Sequence, residues 1–180
     1  MCRGGSWGKL PGEDLMSARY SDIEIARLIV EQKPLPLDYL SRLQTRSKRG
    51  HKERELSVTG VNGSEFRIIL RRSILNPFDF SAILAYLPPR STQSFRLRRY
   101  NGRSHEHTNT LERVTFYDFH IHMATERYQD IGAREDAYAE PTDRFFAYSK
   151  AVECLLGDCN FTLLGTPQLK FFEVEQLTLF

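Results

Sequence analysis

The chain reads as an α+β protein: a largely antiparallel sheet of about five strands, with helices at the N-terminus and after the last long strand packed on one face. Three observations predict this. A capped helical stripe opens the patterned region, period-two strand runs follow it from about residue 55 to 125, and a second helical stripe comes after them. With 180 residues, 41% of them hydrophobic and 27% charged, the chain suits one globular domain. We expect residues 1–15, a Gly-rich stretch without periodicity, to be a disordered tail, and 16–180 to form the domain.

In SDIEIARLIVEQK, Ser21 and Glu24 form a capping-box pair, and Ile23, Ala26, Ile29 and Val30 give the stripe. LPLDYLSRL suggests a second short helix with Pro36 at its start and Leu37, Leu40 and Leu43 on one side. The basic segment 45–54 leads into ELSVTGV-NG-SEFRIILRR, where Asn62-Gly63 between two β-rich runs signals a hairpin. Phe66, Ile68 and Leu70 then share one face. FDFSAILAYL, ending at Pro88-Pro89, suits a buried central strand. SFRLRRY places Phe95 and Leu97 opposite Arg96 and Arg98, and RVTFYDFHIHMAT (113–125) reads as a long fifth strand. In TDRFFAYSKAVECLLGD, Thr142 is the expected cap, Phe145, Val152, Leu155 and Leu156 the buried stripe, and Gly157 the terminator. The segment 167–180 fits either a final strand or a partner-binding tail.

Composition narrows the setting. No run of about 18 apolar residues is present, so no spanning helix is expected and no membrane partner. The first residues lack an apolar signal-peptide centre. Three cysteines (Cys2, Cys154, Cys159) are too few and too scattered for a disulfide framework, which points to a reducing, cytoplasmic compartment. The overall charge of +2 conceals an asymmetry: residues 1–125 hold 20 Lys/Arg against 13 Asp/Glu, and residues 126–180 hold 5 against 10. Two clusters, 42–54 and 90–103, carry much of the positive charge. They suit either a phosphate-contacting surface or a solvated face.

Four of the five histidines fall within RSHEHTNTLERVTFYDFHIHMATERY, as His105/His107 and His120/His122. Strand alternation puts Tyr117, Phe119, Ile121 and Met123 on one face, the expected core side. Phe116, Asp118, His120 and His122 take the other, with Glu126 in line if the strand persists. The connection NGRSHEHTNTLE is longer than an ordinary hairpin loop, and its position decides whether His105 and His107 join the strand pair. Three readings fit. His120, His122, His105 and His107 could hold a divalent metal such as zinc, with Asp118 as a further ligand. Alternatively, His120, His122 and His107, with Asp118 and Glu126, could do metal-free acid–base chemistry on a phosphodiester such as RNA. Arg96, Arg98, Arg99, Arg103 and Arg127 would then hold phosphate. The third reading is a wetted polar strand face, in a module that binds nucleic acid or protein without catalysis.

The segments FRLRRYNG, SHEHTN and FHIHMATERY, continued by YAEPTD and CLLGDC, resemble an uncharacterised family of small bacterial proteins. That family has an Arg-rich strand, an H-x-N loop and a strand ending in His-x-His. The resemblance covers roughly residues 65–161, and its specific part is 98–128. A looser similarity extends to the toxin components of bacterial toxin–antitoxin pairs, on the positions His107, Asn109, His120 and His122. It implies a bacterial, toxin-like cytosolic protein from a mobile or defence-related neighbourhood, with an antitoxin as partner. The chain departs from the compact toxins in its N-terminal helices and its 142–158 helix, and no catalytic mechanism comes with the resemblance.

Overall fold

The computed structural model describes residues 19–48 and 50–163. The expected tail 1–15 and the segment 167–180 lie outside these. Ser21 caps α1 (Asp22–Val30) with the full reciprocal box: its hydroxyl accepts from the Glu24 amide, and the Glu24 carboxylate accepts from the Ser21 amide at 2.8 Å. The buried stripe is Ile25 and Ile29, whereas Ile23 and Val30, expected inside, are exposed. The chain turns at once into β1 (Lys33–Leu35), which pairs in parallel with β11 (Phe161–Leu163). Lys33 is fully buried, and its ammonium lies 2.7–3.0 Å from the carbonyl oxygens of Leu28, Ile29, Glu31 and Cys159. It donates to the buried carbonyls at the end of α1 and ties them to that of Cys159, and burial pushes its pKa down to about 8.

The second helix, α2 (Tyr39–Arg42), is one turn long and buries Tyr39, while Leu37 and Leu40, which the sequence pattern sets on one side with Leu43, stay exposed. The basic segment beyond it is not a connector: it forms β2 (Gln44–Lys48) and the start of β3 (His51–Thr59). The strands β4 (Glu65–Ser73), β5 (Phe80–Leu87) and β6 (Phe95–Asn101) follow as antiparallel neighbours. Asn62-Gly63 turns the β3–β4 hairpin, with Gly63 at φ 85°, a conformation that costs glycine nothing.

The single long strand expected over 113–125 is broken in two. Its first part, β8 (Val114–Phe116), pairs with β7 (His107–Asn109) in a small separate hairpin. Its second part, β9 (His120–Met123), joins the main sheet between β6 and β10 (Tyr138–Pro141), and a one-turn helix α3 (Glu126–Asp130) links β9 to β10. The main sheet therefore has seven strands in the order β10-β9-β6-β5-β4-β3-β2, two more than the sequence pattern resolves. The last helix, α4 (Tyr148–Asp158), starts six residues after Thr142 and buries Val152, Leu155 and Leu156, while Phe145 packs ahead of it. Together α1 and α4 cover one face of the sheet over Leu56, Ile68, Leu84 and Tyr100. No helix among the described residues is long and apolar enough to cross a membrane.

One irregularity re-aims the sheet's far end. The β5–β6 register shifts between Leu84 and Ala85, leaving Leu97 as the extra residue of a bulge. Before the bulge, Arg96 points away from the helices. After it, Arg98 and Tyr100 share the helix-side face, and Arg99 and Asn101 turn to the opposite face. The simple alternation that paired Arg96 with Arg98 holds only up to this point.

Candidate metal centre

On the face opposite the helices, register places Arg99 beside His122 and Asn101 beside His120, with Ala139 of β10 beyond His122. Of the side expected to face the core, Phe119 is buried and Ile121 packs against the core, but the histidine face is buried more deeply. His120 is 0% and His122 2% exposed, whereas Ile121 and Met123 are half-buried and Tyr117 and Asp118 face solvent. The cover is the β7–β8 hairpin, folded across the histidine face.

Asn109 anchors that hairpin. Its side-chain amide donates to the Ala139 carbonyl (2.7 Å) and accepts from the Ala139 amide (2.9 Å), extending the outer edge of β10 as a strand residue would. Two residues away on the same face, His107 donates from Nε2 to Asn109 Oδ1 at 3.0 Å. The spacing of the H-x-N segment thus has a mechanical meaning: the asparagine grips the sheet edge, and the grip sets the imidazole over its neighbours. The His107 ring centroid lies 4.7 Å from that of His122 and 5.5 Å from that of His120, and the His120 and His122 rings are 4.8 Å apart. One ligand-capable atom from each ring falls within 4.8 Å of those of the other two.

Backbone carbonyls fix the tautomers. His120 Nδ1 lies 2.7 Å from the Asp118 carbonyl oxygen, and His122 Nδ1 lies 2.9 Å from that of Asp136. A carbonyl only accepts, so each Nδ1 carries the proton and each Nε2 presents a lone pair. Both Nε2 atoms face the Asn101 amide nitrogen, 3.4 Å from each. Asn101 Oδ1 meets the Ser81 hydroxyl at 2.8 Å, a group that can donate or accept and so can serve the amide in either orientation. Burial holds all three imidazoles neutral: it lowers His107, brings His120 down to about 4 and lowers His122 further, and the nearby Arg99 charge acts in the same direction.

Three neutral imidazoles with Nδ1–H held by backbone carbonyls at two of them are the donor set that zinc takes, with the outer-shell support such ligands receive. Tetrahedral coordination at ~2.0–2.1 Å requires donor atoms about 3.3 Å apart, so loading needs the rings to close by up to about 1.5 Å.

The remaining expected site residues divide. His105 is exposed, its ring 5.8 Å from that of His120, and it stands at the rim. Asp118 contributes its backbone carbonyl alone, because its exposed side chain lies with the helix-side groove. Glu126 is not in line with the histidines, since β9 ends at Met123; its carboxylate instead accepts from the Asp22 amide. Arg103 lies over the Phe78 ring, and Arg127 pairs with Glu112 over the Tyr138 ring. Arg98 faces the opposite groove. Of the five arginines expected to hold phosphate, Arg99 alone lines the histidine pocket.

Sequence reasoning missed Asp136, Arg134 and Asn101. Asp136 is completely buried; it accepts from Arg99 Nε at 2.9 Å and Arg134 Nε at 2.6 Å, and Arg96 comes within 3.9 Å. In GAREDAY, Asp136 is one of two acids beside a single arginine, and nothing in that spacing tells it from a surface charge. Comparison with known proteins gives no match to a family model, a curated protein or a solved structure.

Proposed function

We propose that this chain binds one divalent transition metal, zinc by donor chemistry, through His107, His120 and His122, and uses the remaining coordination position for metal-assisted hydrolysis. The observation that carries the reading is the convergence of three imidazoles from two separate elements, two of them buried with tautomers fixed for ligation and the third half-buried. A metal held by three histidines retains an exchangeable position where it acts as a Lewis acid. A pocket of about 400 Å³ opens beside His107 and His122 and gives a ligand access to that position. Metal-free acid–base work by the same residues is disfavoured, because desolvated imidazoles make poor proton donors near neutral pH. A reducing, cytoplasmic setting fits the free thiols of Cys154 and Cys159.

Calorimetric titration of chelator-treated, untagged protein with zinc tests this. One equivalent should bind, and His120→Ala and His107→Ala should each weaken binding by at least about a hundredfold. Unchanged titrations in both variants would reject the site.

A further inference from the structure

The pocket beside the histidines contains a second constellation, built on Asp136. Its carboxylate is fully buried, and each oxygen accepts a hydrogen bond from the Nε of a different arginine, Arg99 and Arg134. Both guanidinium groups are therefore gripped by one inner edge. The terminal Nη groups of Arg99 and Arg134 make no hydrogen bond among the described residues, and both arginines line the same pocket as His107 and His122. Thr108 and Thr110 add hydroxyls to its wall, and no carboxylate lines it. Asp136 offsets one of the three positive charges gathered around it, so the cluster keeps a net positive balance.

This arrangement differs from a structural ion-pair network. A carboxylate placed to neutralise one arginine commonly takes a bidentate geometry, both its oxygens on the same guanidinium. Here Asp136 takes the Nε edge of two arginines and holds their outward donors, preorganised, toward a cavity that also borders the metal ligands. Rigid guanidinium forks suit planar or tetrahedral oxyanions.

We propose that Arg99 and Arg134 form a phosphoryl-binding subsite, so that the substrate of this centre is a phosphate ester whose phosphoryl oxygens bridge the two guanidinium groups and the metal position. This deepens the metal-centre reading by naming the substrate class, and it rests on that reading only for the bridge to the metal. A cavity of about 400 Å³ admits a phosphoryl group with a sugar-sized substituent.

The test is binding of inorganic phosphate, followed by calorimetry, to metal-free and zinc-loaded protein, with acetate in parallel. Phosphate should bind the metal-free protein, and zinc should tighten it by about tenfold or more. Arg134→Gln, at a half-exposed position that folding tolerates, should weaken phosphate about ten- to a hundredfold and leave zinc stoichiometry unchanged. Arg99→Gln should act in the same direction where it folds. Phosphate binding equal in wild type and Arg134→Gln overturns the proposal, as does acetate binding as tightly as phosphate. If zinc loads and phosphate does not bind, the subsite is wrong and the metal centre stands. If phosphate binds in the Arg134-dependent way and zinc does not load, the subsite stands and the metal reading falls.

Discussion

The two faces of β6 and β9 carry neighbouring residues of the same strands and have opposite characters. On the helix side, Arg98, Tyr100, Ile121 and Met123 border an open groove of about 820 Å³, the larger of the two cavities. There Arg144 makes two 2.7 Å bonds to Asp158, which also accepts from the Tyr100 hydroxyl at 2.7 Å. On the far side, Arg99 and His122, with His107 and Arg134 from outside the two strands, border a cavity half as large. There the lone pairs of two imidazoles share the single Asn101 amide nitrogen, and the outer donors of two guanidinium groups make no hydrogen bond among the described residues. Converging imidazoles beside guanidinium donors held by a buried carboxylate, rather than cavity size, mark the side where chemistry fits.

Removing the buried anchor of the histidine side should have the largest effect. Asp136→Asn leaves Arg99 buried without its counter-charge, and it should cost about 3–5 kcal/mol in denaturant unfolding. Asn109→Ala comes next. It should leave the main sheet folded while releasing the β7–β8 hairpin, weakening zinc about 10–100-fold by titration. On the groove side, Arg144→Ala should change stability by no more than about 1 kcal/mol, since the pair is half-exposed, and should leave zinc affinity untouched. A loss of metal binding in that variant would show that the two faces are not independent.

Acid gives a subtler contrast. The three histidines have folded pKa values below the ordinary 6.5, His120 at about 4, so the unfolded chain binds more protons across that interval. Their contribution to the stability of the metal-free protein is complete above about pH 6.5, declines as pH falls below it, and is lost through about pH 4 for His120. Unfolding midpoints measured from pH 7.5 to 4.5 should fall with acid, and His120→Gln should flatten the slope. A slope unchanged in that variant would mean that His120 is not held neutral by burial.

The contrast between the faces was only half legible in the sequence. Local signals located the capping box at Ser21–Glu24, the hairpin at Asn62-Gly63 and the buried run Phe66–Ile68–Leu70, because each depends on neighbours a few residues away. Strand alternation also placed His120 and His122 together. It could not say which face was covered, since burial is set by the distant Asn109 grip on Ala139. The break at 117–119 lay hidden because β-rich composition runs straight through it. The bulge at Leu97 exchanged the roles of Arg98 and Arg99, which alternation cannot foresee. Asp136 became visible only when α3 and β10 brought its backbone against His122 and its side chain under Arg99.

The most direct measurement is the absorption spectrum of the protein loaded with cobalt(II) in place of zinc, together with X-ray absorption at the metal edge. One bound ion in a four-coordinate field, with three imidazole nitrogens at about 2.0–2.1 Å and one exchangeable light ligand, is the predicted result. A six-coordinate, oxygen-rich environment, or a spectrum unchanged by His107→Ala, would contradict a centre formed when the β7–β8 hairpin folds over the sheet.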